Sequence, residues 1–385
     1  MQQQLKKSLL ASAVLGGLVM APAQATDAPT WSFGGYVKLD AFMSDYGDGK
    51  AAASGNLGRQ FYIPSLTPVG GTGDDSVTDF HARQSRFWFD AKQTLSNGET
   101  LTGRIELDFM TVPVGDERIT NSYAPRLRHA FINYGKWTFG QTWSNFQELS
   151  ILPESVDFIG ATDGMVFVRQ AQVRYTDGNF SVALENPETT VTPFGGGARI
   201  TSSDSVMPDF TVKYKGKNGD LTWAVAGLVR QLAYDVTGTG SDETTNGYGI
   251  SLSAKYQLGK DDIRASFTTG SGIGRYMALN TYNGAVINAN GELEAIDVSG
   301  FTLAYRKVWN DKYRSNLVYS YGAADNDVAL TGNATKSTQR VGINLMYQAE
   351  QRLTFGAEFS TSMRELEGGA DGDLTRLQFM AMYSF

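Results

Sequence analysis

The sequence predicts an all-β protein: a 16-stranded antiparallel transmembrane β-barrel with long extracellular loops and an in-folded third loop. Three observations predict it. Behind a short apolar leader, segments of about ten residues alternate apolar and polar side chains, the pattern of a sheet with one face in lipid and one in water. The connections between those segments alternate between short and long. The last segment, with Leu377, Phe379, Ala381, Tyr383 and Phe385 on one face, runs to the end of the sequence on an aromatic residue.

Residues 1–25 read as a secretory signal peptide. Lys6 and Lys7 supply a positive start, 9–20 an apolar run too short to span a membrane, and Ala23-Gln24-Ala25 a small-x-small cleavage site. The barrel is therefore expected over 26–385. Those residues hold no apolar run near the roughly 18–20 that a membrane helix needs. With no cysteine, neither disulfides nor thiolate metal sites contribute. Gly is abundant at 43 residues, aromatics reach 12% and Pro is scarce at 10, which suits many short strands joined by tight turns. Without the leader, 31 basic and 40 acidic side chains leave a formal charge of −9, which argues against a nucleic-acid partner. That total does not set the sign of a pore, because loop and lumen charges are counted together.

The strands justify themselves in order. In 31–42, Trp31, Phe33, Val37, Leu39 and Ala41 share one parity, and Ser32, Tyr36, Lys38 and Asp40 the other. In 100–110, Leu101, Ile105, Leu107 and Phe109 oppose Thr102, Arg104, Glu106 and Asp108. The same alternation places strands at 83–94, 126–134, 136–142, 166–175, 179–186, 208–215, 220–231, 247–258, 262–270, 296–307, 312–321, 338–347, 352–362 and 374–385. A soluble sandwich also alternates, but here Gly, Ser, Thr and charges crowd the polar parity, as a narrow aqueous lumen requires. Seven short turns join strand pairs, several through hairpin signals such as Ser96-Asn97-Gly98-Glu99, Thr176-Asp177-Gly178-Asn179 and Gly216-Lys217-Asn218-Gly219. Eight long stretches alternate with them: 43–82, 111–125, 143–165, 186–207, 232–246, 271–295, 322–337 and 363–373. Trp31, Tyr134, Trp137, Tyr256, Tyr347 and Tyr383 fall at strand ends, where interfacial aromatic girdles belong.

Several motifs are family-like. Ala82-Arg83-Gln84-Ser85-Arg86-Phe87, Arg128-His129-Ala130-Phe131, Gly140-Gln141-Thr142-Trp143-Ser144-Asn145-Phe146, Pro153-Glu154-Ser155-Val156-Asp157-Phe158 and Val168-Arg169-Gln170-Ala171-Gln172-Val173-Arg174-Tyr175 resemble the DcaP-like porins of Gram-negative bacteria. The motif-rich part covers about residues 80–175. The resemblance implies a homotrimer of 16-stranded barrels set among outer-membrane lipid and lipopolysaccharide, passing small anionic solutes such as dicarboxylates. Family members can carry a helical extension ahead of the barrel. Here residues 26–30 alone separate the leader from the first strand, so no periplasmic helical clamp is expected.

Parity points Lys38, Arg86, Lys92, Arg104, Arg174, Lys213, Arg230, Arg264, Arg306, Arg314, Arg340, Arg352 and Arg376 into the lumen. Arg126 and Arg128 are expected there too, although they share parity with Ala130, Ile132 and Tyr134. A charge facing lipid at the midplane costs roughly 2–4 kcal/mol, so inward placement alone carries no function. The functional signal is the excess over inward acids, which are Asp40, Asp90, Glu106, Asp108, Glu185, Asp209 and Glu358. Rings of Arg and Lys favour anions. The strongest candidates are Arg86, Arg104, Arg128 and Arg174, which flank the expected constriction.

That constriction is stretch 143–165, whose Phe146, Leu149, Ile151, Leu152, Val156, Phe158 and Ile159 suit an inner wall better than an exposed loop. Its Glu148, Glu154 and Asp157 are expected to face Arg86, Arg104, Arg128 or Arg174 across the eyelet. The competing reading is an exposed loop covering a trimer neighbour. No cofactor or metal centre is expected: His81 and His129 are the only histidines, and Gly270-Ser271-Gly272-Ile273-Gly274-Arg275 lacks the spacing and following helix of a phosphate loop. These features together point to a passive channel for small hydrophilic solutes that prefers anionic organic acids. The alternatives are a non-selective or cation-tolerant general porin and, further off, an outer-membrane barrel enzyme, for which neither histidine has a nucleophile motif beside it.

Overall fold

The computed structural model describes residues 28–385, apart from 54, 74–75, 112–117, 236–241 and 328–330. The leader assigned to 1–25 lies outside the described residues. Sixteen antiparallel staves follow: β1 (Thr30–Tyr46), β2 (in two pieces, Val77–His81 and Arg86–Thr94), β3 (Thr100–Asp108), β4 (Arg126–Tyr134), β5 (Trp137–Trp143), β6 (Arg169–Asp177), β7 (Phe180–Glu185), β8 (Asp209–Asn218), β9 (Leu221–Asp235), β10 (Asp242–Leu258), β11 (Asp261–Ser271), β12 (Asp297–Val308), β13 (Tyr313–Asp325), β14 (Thr335–Glu350), β15 (Leu353–Leu366) and β16 (Asp371–Ser384). β1 pairs with β2 from Thr30↔Lys92 to Tyr36↔Arg86 and with β16 from Tyr36↔Ser384 to Tyr46↔Leu374. A first stave bonded to both the second and the last leaves no edge, so every stave's ladder is met within the protein. The terminal residue completes the seam. Phe385 exchanges two backbone hydrogen bonds with Gly35, at 3.0 and 3.2 Å, and stacks on Phe33 with centroids 5.3 Å apart.

All sixteen expected strands are present, with two kinds of difference. The second is broken at 82–85, where Ser85 Oγ accepts from the Lys38 amide at 3.1 Å in place of a ladder bond. Several staves also rise higher than expected, so the stretches at 232–246, 322–337 and 363–373 shorten to 236–241, 326–334 and 367–370. In β10, Glu243, Thr244, Thr245 and Asn246 pair with Tyr234, Ala233, Leu232 and Gln231 of β9. Above the hydrocarbon the outer face no longer meets lipid, so apolar alternation ends while the backbone ladder continues; Leu232 here packs on Val191, Ala285 and Leu293 of the loops.

The barrel is inside-out relative to a soluble protein. On β1, Phe33, Val37, Leu39 and Met43 are exposed outward, whereas Lys38, Asp40 and Ser44 are buried inward. Near the short-turn end, Tyr313 stacks on Tyr347 with centroids 4.8 Å apart.

The lumen contains a core of its own. The third loop (144–168) and the sixth (272–296) bury Phe146, Val166, Ile273, Tyr276, Met277 and Tyr282 against Ala226, Leu228, Val298 and Ala324 of the wall. Each large side chain so buried contributes about 1.5–3 kcal/mol. The third loop reaches this wall because three glycines meet there. A Cβ on Gly164 would sit 2.1 Å from the Phe301 carbonyl oxygen, and one on Gly322 would sit 2.2 Å from that of Asp163; Gly300 lies against Gly164 itself. Loops four and six add a small sheet of Thr189–Thr192, Ile200–Ser202, Ala285–Ile287 and Leu293–Ala295. From the sequence, only the third loop is expected inside. The sixth loop folds in beside it, and the first contributes buried Phe61 and Tyr62.

Candidate functional site: a guanidinium-lined constriction

A loop crossing a lumen must satisfy its backbone, and wall side chains do this here. Lys38 Nζ donates to the Val156 carbonyl at 2.7 Å, and Gln378 to the same oxygen at 3.1 Å. Lys213 donates to the Gln147 carbonyl at 2.7 Å and Asn344 to that of Glu154 at 2.8 Å. Arg264, Arg340 and Arg174 donate to the carbonyls of Leu152, Gly160 and Trp143. Glu358 accepts from the Val156 amide at 2.7 Å and from Ser155 Oγ at 2.8 Å.

The loop's acids are anchors too, and their partners differ from those expected. Glu148 pairs with Lys215 at 2.9 Å and Lys213 at 3.7 Å; Glu154 takes a two-pronged grip from Arg314; Asp157 accepts from the Tyr62 amide at 3.0 Å and lies 3.8 Å from Arg340. None pairs with Arg86, Arg104, Arg128 or Arg174. Their reach is set by the far wall, where the loop core packs. Burial alone would push the Asp157 carboxyl up, but Arg340, Arg376 and the amides of Tyr62 and Ile159 outweigh it and hold it below its ordinary value. For Glu148 burial is likewise outweighed, by Lys213, the Ser150 amide and Lys215. Asp163 is the exception. Burial raises it to about 6, only partly offset by hydrogen bonds from Tyr62 (2.7 Å) and Thr338.

With the core against β9–β15, open space is left beside β2–β6. There β4 carries a bulge: Glu106 of β3 pairs with His129 and Leu107 with Leu127, so Arg128 has no partner of its own. The extra residue turns both Arg128 and His129 inward while Leu127 and Ile132 face out, which resolves the strand's ambiguous parity. Arg126 bonds Asp108 with two prongs at 2.8 and 2.7 Å. Arg128 bonds Glu106 and Asp108, both at 2.8 Å, and Arg86 lies 3.4 Å from Glu106. Three guanidiniums thus crowd two carboxylates, with Arg104 a fourth at 3.9 Å from Glu106. Phe158 of the third loop projects among them, its ring centre 5.5–6.0 Å from the guanidinium carbons of Arg86, Arg126 and Arg128.

Two further arginines complete the site, and parity did not find them. Arg169 opens β6 where the third loop rejoins the wall. Its guanidinium stacks on Trp143 at 4.7 Å and, among the described residues, forms no ion pair or side-chain hydrogen bond. Arg275 comes from the sixth loop and bonds the Asn186 carbonyl at 2.8 Å, with Asp209 at 3.6 Å. Arg126, Arg169 and Arg275 line one cavity of about 280 Å³, with Phe61, Trp143 and Phe158 as its aromatic surfaces.

Arg104 sits at the edge of this cluster, gripped by Asp90 at 2.7 and 2.8 Å. The other candidates lie elsewhere. Arg306 shares Asp262 with Arg264 and Lys255, three cations around one carboxylate. Arg376 is fully buried and ties Ser44 and Tyr46 to the Gly58 carbonyl of the first loop.

The DcaP outer membrane protein family matches residues 27–385. The outer membrane channel DcaP of Acinetobacter baumannii is 22% identical, with 95% of this chain and all of that one aligned at a TM-score of 0.76. OmpT of Vibrio cholerae is 14% identical over 94% of this chain and all of that one (TM-score 0.55). An anion-selective porin from Comamonas acidovorans is 10% identical over 93% of this chain and all of that one (TM-score 0.56). No curated protein sequence matches. At these identities the structures speak for the fold, and the match along nearly the whole described chain speaks for descent: the protein belongs to the DcaP outer membrane protein family.

Proposed function

We propose that the protein is a non-enzymatic, passive outer-membrane channel that favours small organic anions, dicarboxylates among them. The observation that carries this reading is the charge balance at the constriction. Five guanidiniums, Arg86, Arg126, Arg128, Arg169 and Arg275, face carboxylates at Glu106, Asp108 and the more distant Asp209. Guanidiniums stay charged at any relevant pH and match a carboxylate with two parallel donors. In a narrow lumen their summed field draws anions in, while partial pairing keeps each contact weak enough to release them. The family match supports an outer-membrane setting. The Acinetobacter relative is a channel, which supports the transport role; the Comamonas porin is anion-selective, which supports the sign; and OmpT has a trimer form, which supports a homotrimer. Secretion through a leader cleaved after Ala25 and contact with lipopolysaccharide belong to the same reading.

The test is a reversal-potential measurement across a salt gradient in planar bilayers, together with uptake of succinate against a neutral sugar of similar size. Anion-side reversal and faster succinate entry are expected. Reversal on the cation side replaces this reading with a cation-tolerant general porin.

A further inference from the structure

A second cavity, of about 150 Å³, lies among the loops at the long-loop end, enclosed by residues of loops one, four, six and seven and by β15. Two guanidiniums line it, Arg199 of loop four and Arg364 of β15. Both are held in place by neutral acceptors. Arg199 donates from Nε to Asn283 Oδ1 at 2.6 Å and also to the Asn280 carbonyl. Arg364 donates from Nη1 to the carbonyls of Ser65 and Thr67, at 2.7 and 3.1 Å, and from Nε to Thr335 Oγ1 at 3.0 Å. Among the described residues neither meets a carboxylate. Glu367 accepts from Asn326 in the lining at 2.9 Å and from no guanidinium. Neutral acceptors orient a guanidinium without cancelling its charge, so two oriented cations share one small cavity. Arg199 is exposed and Arg364 half-buried, which leaves the charges open to an incoming anion.

The rest of the lining is polar. Asn283 spends its amide on Arg199 and on Thr192 Oγ1, and Asn326 its Nδ2 on Thr335 and Glu367, which leaves the Thr192 hydroxyl proton, Asn326 Oδ1 and the Asn333 amide for a ligand, and nothing offers a broad apolar face. A plain alkyl dicarboxylate would desolvate these groups without pairing them, whereas hydroxyls on its carbons would replace the lost water. The volume lies below the roughly 300–1,000 Å³ of sites for drug-sized ligands, which limits the occupant to a small acid. We infer that this cavity is a capture site for small hydroxylated carboxylates, separate from the constriction. It gives the channel a first docking point at its mouth and rests on the channel reading above for its role in transport, though not for binding.

The probes are tartrate and succinate, which share a carbon skeleton and two carboxylates and differ in two hydroxyls. Each is titrated by calorimetry into the full mature protein in detergent. Tartrate is expected to bind at least threefold more tightly than succinate. Arg199→Ala combined with Arg364→Gln should weaken tartrate at least tenfold, while Lys260→Ala, an exposed cation on a short turn at the opposite end of the barrel, should leave tartrate binding within twofold. Because Arg364 also holds the first loop, exposed Arg199→Glu serves alone if the double variant does not fold, and the same loss is expected. Equal affinity for the two acids, or tartrate binding unchanged by the Arg199 and Arg364 variants, overturns the inference. Cation-side reversal with Arg199-dependent tartrate binding overturns the anion channel and leaves the capture site standing. Anion-side reversal with tartrate binding indifferent to Arg199 does the opposite.

Discussion

Arg314 of β13 grips Glu154 of the third loop through two parallel hydrogen bonds, 2.7 Å from Nε and 2.5 Å from Nη2. The pair joins the loop's far side to the wall opposite β4, so the width of the opening beside Phe158 depends on a contact across the lumen from it. Both side chains keep some solvent contact, which puts the pair near the upper end of the roughly 0.2–1 kcal/mol of such bridges. Arg314→Ala should therefore leave the barrel intact while increasing single-channel conductance and open-channel noise. The exchange Arg314→Glu with Glu154→Arg should restore much of the wild-type trace. Conductance unchanged in the single variant would mean that the carbonyl anchors hold the loop unaided.

Gly322 provides a steric test of the same loop. A methyl group there would lie 2.2 Å from the Asp163 carbonyl oxygen, which is backbone and cannot swing aside. Gly322→Ala should push the third loop off β13 at a cost of about 1–3 kcal/mol, as overpacking usually does. The expected readouts are a lower heat-dissociation temperature in detergent and larger conductance. Wild-type values for both would show that the close approach is not needed.

How much of this was legible beforehand follows the physics of each signal. Strand positions were readable because lipid enforces alternation residue by residue, as with Val37, Lys38, Leu39 and Asp40 on β1. The third loop was readable because Phe146, Ile151 and Val156 had no reason to be exposed. Ile273, Tyr276 and Met277 carried the same signal in the sixth loop, but a long loop's direction depends on which wall accepts it. Pairing partners were not legible. Glu154 meets Arg314 at a sequence separation of 160, a distance only the closed sheet spans. Arg128 and His129 could not be assigned from parity because a bulge breaks the count. Arg169 was missed because parity loses its meaning at a stave's first residue, and Arg275 because it arrives on a loop.

Asp163 gives the protein a pH-dependent joint between the first and third loops. Its carboxyl is raised to about 6 against an ordinary 3.8, so between these values the folded protein holds a proton that the unfolded chain has released. Stability from this group is complete below about pH 4 and falls as pH rises to about 6, by roughly 3 kcal/mol if the whole shift is realised. Asp157 acts in the opposite sense, so the comparison to make is wild type against Asp163→Asn. The difference in heat-dissociation temperature between the two should change across pH 4–6 and level off above it. A constant difference would mean that Asp163 is ionised in both states over that range.

The arginines of the lumen divide by what their guanidiniums touch, and the division predicts two phenotypes. Arg264 and Arg340 donate to carbonyls of the third loop and Arg174 to that of Trp143, where the loop leaves β5, so their positive charge helps to position a segment of backbone. Arg126 and Arg169 contact Asp108 and the Trp143 ring, and both line the open cavity beside Phe158. Removing an anchor frees a length of loop while taking away one charge of many. Removing a cavity arginine changes the local field and leaves the loop where it was. Arg264→Gln should thus raise conductance for ions of both signs and for neutral sugars, with a small shift in reversal potential. Arg169→Gln should shift the reversal potential toward cations and slow succinate several-fold against a neutral sugar, at nearly wild-type conductance in high salt, where screening shortens the reach of each charge to a few ångströms. Arg169 is the cleaner probe of the two cavity residues, because no carboxylate is orphaned when it is lost. If Arg264→Gln and Arg169→Gln change selectivity equally, the field is a property of the whole lumen and the constriction holds no special place in it.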